Sequence, residues 1–313
     1  MRTAYITHPI CLKHDMGYGH PESPQRLQAI EQELRVEGLF PLLRYYEAPL
    51  VTHEQLARVH AEHYLHAIET VAPQHGLISI DSDTLMNPYT LEAAKRAAGA
   101  AVLATDLVIS GQVENAFCNV RPPGHHATRD EAMGFCFFNN VAVGAAHALA
   151  LHGLTRIAIL DFDVHHGNGT EAIFKDETRV MLCSTFQHPF YPYSGANSSN
   201  DHIINTPLAA GTTGQALRAT VLENWIPALE RFRPEMIYIS AGFDAHREDE
   251  MANLNWVEAD YIWVTDQIMT IAERYAQKRI VSVLEGGYDL DALAGSVAAH
   301  VRVLSAITES PAD

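Results

Sequence analysis

The chain has 313 residues, 47% hydrophobic and 19% charged, a balance that builds a sizeable core and excludes extensive disorder. With 21 basic and 38 acidic residues the formal charge is −17, which disfavours a nucleic-acid partner, because neutralising phosphates needs basic patches. No apolar run reaches the roughly 18 residues of a bilayer span, no signal peptide opens the chain, and Cys11, Cys118, Cys136 and Cys183 lack CxxC spacing, so a cytoplasmic protein without membrane contacts is expected.

In chain order, a strand is predicted over residues 1–6 and a helix over 25–39, with apolar Leu27, Ile30, Leu34 and Leu39 on one face. Thr52 and Gln55 have capping-box spacing and open a helix predicted over 52–71. An Ala-rich helix (91–109), a strand (116–120), a helix (139–151) and two strands (156–163 and 180–187) follow. The remainder reads as helix 213–231, strand 236–241, helix 257–277, strand 280–285 and helix 290–307. Most strand runs are continuously apolar, as in parallel strands covered on both faces. The alternation predicts one α/β domain over 1–313, a doubly wound and mainly parallel sheet flanked by helices. Such folds bind ligands beyond the carboxyl ends of the strands.

Four polar clusters sit at those ends. RPPGHHA (121–127) offers His125 and His126 on an irregular segment, where two imidazoles can face one cleft and hold different protonation states. DFDVHHGNGT (161–170) places Asp161, Asp163 and His165 alternately, so that as a strand continuation they point the same way. Carboxylate oxygen and imidazole nitrogen suit Zn²⁺ or Fe²⁺. AGFDA (241–245) supplies Asp244 as a third ligand, and EGGY (285–288) a tight turn that presents Tyr288, a donor for a developing oxyanion. Each cluster alone has an ordinary explanation as a turn, a cap or a core aromatic; four of them at the ends of four strand runs do not.

Together with GFCFFNN (134–140), these motifs resemble the zinc-dependent histone deacetylase family on the arginase–deacetylase fold, from about His20 to the last predicted helix. The resemblance implies Zn²⁺ (or Fe²⁺) on Asp163, His165 and Asp244, with His125 paired to Asp161 and His126 to Asn168. Asn168, where class I members carry Asp, points to a bacterial class II-like relative. Gly167 and Gly242 stand where binuclear arginase-like members carry further acidic ligands, which disfavours a dimanganese enzyme. Tyr288 stands where weakly active class IIa members carry His. The resemblance also implies an acyl tunnel bounded by Phe135 and Tyr191, with Met251 at its mouth, the Gly134 carbonyl as acceptor for the substrate N–H and Asp83 at the rim. It implies K⁺ or Na⁺ near Asp161, Asp163, His165 and Ser184, and a second monovalent ion near Phe174 and Val180. Arg26 matches an arginine of the family's internal cavity, an ordinary helix-surface arginine being the other reading. The expected activity is deacylation of lysine side chains in a peptide or protein. Acylated small amines are the alternative substrate, and a non-catalytic acyl-lysine binder is the alternative class. A homo-oligomer is compatible with all of this.

Overall fold

The computed structural model describes residues 3–306, so Met1 and Arg2 of the first predicted strand and Ile307 of the last predicted helix lie outside it. Strands β1 (Thr3–Thr7), β2 (Arg44–Glu47), β5 (Asn115–Cys118), β6 (Ile157–Asp161), β7 (Val180–Gln187), β8 (Ile203–Leu208), β9 (Met236–Ala241) and β10 (Ile280–Leu284) form one parallel sheet. Their order is β2-β1-β5-β10-β9-β6-β7-β8, and β3 (Ile78–Ser79) and β4 (Leu85–Met86) make a small antiparallel hairpin apart from it. β5, β6, β7, β9 and β10 are buried along their whole lengths, which is why they read as continuous apolar runs. The edge strands β2 and β8 carry RYYE and IINTPL, polar and partly exposed, and have no such signal.

The helices are α1 (Gln25–Val36), α2 (His53–Ala57), α3 (Glu62–Val71), α4 (Thr90–Ile109), α5 (Asn140–Leu151), α6 (Asn168–Phe174), α7 (Gly214–Thr220), α8 (Ile226–Phe232), α9 (Glu258–Tyr275) and α10 (Leu290–Leu304). Two predicted helices differ from expectation. Residues 52–71 split into α2 and α3 because the chain turns at 58–61 to insert His60. That ring donates from Nδ1 to the Thr128 carbonyl (2.9 Å) and accepts from the Asn139 N–H at Nε2 (3.0 Å). Burial pulls its pKa down to about 4, so it stays neutral and can serve both bonds. Residues 213–231 form one helical run interrupted by a π turn at Val221–Trp225, just before Pro227. Proline has no N–H and clashes with a regular preceding turn, and the wider turn relieves both.

The strands followed by the four motifs, β5, β10, β9 and β6, are consecutive neighbours at the centre of the sheet. Registers such as Asp161 opposite Ser240, and Leu284 opposite Ala241, bring their carboxyl ends level. Segments distant in sequence thereby leave the sheet within one side chain's reach of each other.

Candidate active site and metal-binding group

After β5 the chain is held by a buried charge cluster. Arg121 donates to both carboxylate oxygens of Glu22 and to the Cys11 and His14 carbonyls. Glu285, at the end of β10, accepts from the Gly124 and His125 N–H groups (2.6 and 3.1 Å) and so fixes the histidine pair. The two rings lie 4.1 Å apart, centroid to centroid. His125 Nδ1 donates to Asp161 (3.0 Å) and His126 Nδ1 to the Asn168 side-chain carbonyl (2.8 Å). Burial alone would lower the pKa of both. For His125 the carboxylates of Asp163 and Asp161 outweigh burial and hold it well above the usual value. For His126 burial and the neighbouring His125 and His165 charges act together, and it falls well below. One imidazole of the pair is therefore cationic and the other neutral, with its Nε2 lone pair free to accept a proton.

β6 ends at Asp161, and the alternation expected beyond it stops there. Asp161 turns to His125 and accepts the Asp163 N–H, so it does not join Asp163 and His165 as the strand-continuation argument required. The donor atoms of Asp163, His165 and Asp244 do converge, all within 4.8 Å of one another. His165 Nδ1 lies 3.0 Å from Asp163 and 3.2 Å from Asp244. Asp163 accepts the Gly286 N–H and Asp244 the Val164 N–H, but the second Asp244 oxygen is buried without a hydrogen-bond partner. Two buried carboxylates, one of them with an oxygen that no hydrogen bond satisfies, and one imidazole fit a divalent cation with an open position. The glycines beside them are required sterically. A Cβ on Gly286 would lie 2.1 Å from Asp244 Oδ2, and one on Gly242 would lie 2.0 Å from Asp163 Oδ2.

Without a metal the two carboxylates hold the His165 proton up to about 9 against the effect of burial. A metal ion needs that nitrogen unprotonated, so binding displaces a proton throughout the neutral range. Apparent affinity for Zn²⁺ is expected to rise about tenfold per pH unit between pH 7 and 8.5 and to level off above about 9. Competition titration against a chelator checks this; a flat profile over that interval would exclude His165 as a ligand.

Arg26 is fully buried, not a surface residue of α1. It donates to the Gly287 carbonyl (2.6 Å) and the Glu285 carbonyl (2.5 Å), pairs with Glu22 and lies over the Tyr288 ring at 4.9 Å. Asp249 holds the same turn from the other side, accepting the Tyr288 and Asp289 N–H groups (2.6 and 3.2 Å). Burial raises the Tyr288 phenol well above its usual pKa, which keeps it a donor.

Tyr288 lines a cavity of about 220 Å³ with His126, His165, Asp83, Gly134, Phe135, Phe190, Tyr191 and Met251. Every tunnel and rim residue expected from the sequence lies on this one cavity, and Phe190, not expected, stacks on His165 at 5.5 Å. The signal was there: HPFYP (188–192) sets two adjacent aromatics between prolines. Gly134 and Phe135 both have positive φ (54° and 69°) in a turn closed from Cys136 N–H to the Met133 carbonyl. A Cβ at Gly134 would strike the His126 ring at 2.5 Å. The Phe135 conformation costs about 1–2 kcal/mol and is held by its N–H bond to Thr84 (3.1 Å).

Residues 20–304 match the histone deacetylase domain family. The chain belongs to the histone deacetylase family. It is similar to a histone deacetylase-like amidohydrolase of Pseudomonas aeruginosa, 38% identical over 92% of this chain and 82% of the relative. A protein of Archaeoglobus fulgidus described as a probable deacetylase is 35% identical over 93% and 82% of the two chains. The crystal structure of the HDA15 HD domain superposes with a TM-score of 0.92 at 34% identity, over 99% of this chain and 91% of that one. Membership of the histone deacetylase family supports a hydrolase of deacetylase or amidohydrolase type, and the family's need for a metal ion agrees with the Asp163–His165–Asp244 group. Among the described residues no helix is long and apolar enough to cross a membrane.

Proposed function

We propose that the chain is a zinc-dependent deacetylase that removes acetyl or other acyl groups from the side-chain amine of lysine. The observation that carries this reading is the meeting of Asp163, His165 and Asp244 beside a neutral His126 and the Tyr288 phenol, next to one aromatic-lined cavity. Zinc in that group would supply Lewis acidity toward an amide carbonyl and toward water. His126, its Nδ1–H fixed on Asn168, takes a proton from the attacking water at Nε2 and returns it to the leaving amine. His125, held cationic by Asp163 and Asp161, keeps the proton affinity of His126 low. Tyr288 donates to the carbonyl oxygen as it gains charge, and the Gly134 carbonyl accepts the amide N–H. Phe135, Phe190 and Tyr191 pack the lysine methylenes and exclude water, while Asp83 and Met251 meet the peptide at the rim. K⁺ or Na⁺ is assigned to Asp161, Asp163, His165 and Ser184, whose buried hydroxyl has no hydrogen-bond partner; Phe174 and Val180 mark a second such site. The setting proposed is the cytoplasm.

The acidic segment Glu248–Asp249–Glu250 borders a cavity of about 420 Å³ shared with Met251 and Tyr288, which favours acylated polyamines as a second reading. Asp249 is already engaged by backbone N–H groups, which leaves Glu248 and Glu250 to meet a distal ammonium. Turnover of acyl-lysine peptides and of acylpolyamines, with metal content measured on the same sample, separates these readings. Binding of both without hydrolysis by metal-replete protein would reject an enzyme altogether.

Tyr288→Phe keeps the ring, its edge contact with Phe135 and the Arg26 contact, and removes only the hydroxyl. Loss of one oxyanion donor is expected to lower kcat by about 10²–10³-fold, with metal content and Tm unchanged. Wild-type kcat in this variant would remove Tyr288 from the chemistry.

A further inference from the structure

α5 leads from the loop that carries the histidine pair back to the start of β6, so its last turn lies at the opposite end of the sheet from the cavity. With 12 residues it is about 18 Å long. At that far end His147, near the end of α5, and His152, its C-cap, both aim Nε2 at one oxygen of Asp106, at 2.9 and 2.7 Å. Asp106 belongs to the last turn of α4. The three donor atoms lie within 4.8 Å of one another. Two helix C-termini, each with partial negative charge, therefore meet at a cluster of two imidazoles and a carboxylate. His147 is nearly buried, whereas the Asp106 side chain is 48% exposed, which leaves an entry path and a face for water.

We propose that Asp106, His147 and His152 form a second divalent transition-metal site, with zinc as its ion. Four tetrahedral ligands at about 2.0–2.1 Å lie about 3.3 Å apart, so the carboxylate has to retreat by roughly half an ångström to admit the ion. Two nitrogen donors select zinc-like ions over Mg²⁺ or Ca²⁺, which prefer oxygen. The cation already facing the cluster is Arg58, whose guanidinium donates to His147 Nδ1 (3.2 Å) while also holding Glu54 (2.9 Å). Metal on His147 Nε2 moves that ring's proton to Nδ1, so Arg58 gives up His147 and keeps Glu54. His152 makes the same change of tautomer. The ion ties the end of α4 to the end of α5 and stabilises their packing.

The test is a Zn²⁺ titration of chelator-stripped protein by calorimetry, with Mg²⁺ in parallel. Wild-type protein is expected to bind two Zn²⁺ per chain. One should be lost in His152→Ala and in Asp106→Asn, the other in Asp244→Ala. Zinc-loaded His152→Ala should keep wild-type turnover. Zn²⁺ should raise the Tm of Asp244→Ala but not of the Asp244→Ala, His152→Ala double variant. A single Zn²⁺ that His152→Ala retains would overturn this site and leave the central one standing. A single Zn²⁺ that His152→Ala loses would overturn the central assignment and leave this one standing. Two Zn²⁺ retained in both distal variants, a distal Kd weaker than about 1 mM, or equal binding of Mg²⁺ would each reduce it to adventitious binding and reject it.

Discussion

Asp244→Ala is expected to abolish retention of the central metal ion and turnover together. Of the three converging donors, Asp244 contributes a buried oxygen faced only by the His165 ring at 3.2 Å, itself one of the three, so no group outside the cluster competes for it. Burial and the Asp163 charge push its carboxyl up to about 6 even against the neighbouring His165 ring, which lowers it. Loss of a direct ligand should weaken metal binding by more than the 10–100-fold that typically follows loss of a mere supporting residue. The substitution also strands the Val164 N–H, at a cost of about 1–3 kcal/mol, so a lower Tm is expected in the same variant. Asp244→Asn keeps that acceptor and separates the two effects: near-normal Tm with poor retention of the central metal ion. Metal analysis, kcat and Tm on both variants check the argument. Full zinc occupancy with wild-type turnover in Asp244→Ala would remove this residue from the ligand set.

His126→Ala is expected to lower kcat by about 10²–10⁴-fold, the usual range for a general acid–base residue. His125→Ala should cost less, since its role is to hold charge rather than pass a proton. Asn168→Asp adds a further check with a definite sign. A carboxylate in place of the amide favours the protonated imidazole, so the His126 pKa rises and the acid limb of the kcat/KM profile moves to higher pH, by at least about one unit. An unmoved acid limb would mean that a different group titrates. Equal and minor losses in the two histidine variants would argue that neither carries the proton.

The parts of this architecture that could be read in the sequence share one property: the local pattern and the tertiary role agree. β5, β6, β7, β9 and β10 are apolar runs because both faces are covered, and they are buried throughout. β2 and β8 lie at the edges, where polar residues are tolerated and the pattern fades. The break at 58–61 was not legible because a capping box and helical spacing say nothing of a histidine needed by two distant loops. Arg26 shows the same limit. On α1 alone it resembles any helix-surface arginine; only the arrival of β10 supplies the two carbonyls it holds. The site motifs were recognisable as combinations. Glu285, which positions the histidine pair, was legible only as the first letter of EGGY with no role attached, and Asp249, which holds the Tyr288 turn, only as part of an acidic run.

The strand order has a consequence for how such a molecule is made. β10, the last strand in the chain, lies between β5 and β9, and Ile280 pairs across to Asn115 on one side and Ile237 on the other. Until it arrives, a growing chain holds two partial sheets, β2-β1-β5 and β9-β6-β7-β8, each with an open, apolar inner edge. The paired histidines belong to the first partial sheet, and Asp163, His165 and Asp244 to the second. Closing contacts this far apart in sequence is slow, and exposed edges invite association with other chains in the interval. Release of a chain before β10 is complete should therefore give an aggregating product rather than a weakened enzyme, and catalytic competence should emerge in a single late step of folding.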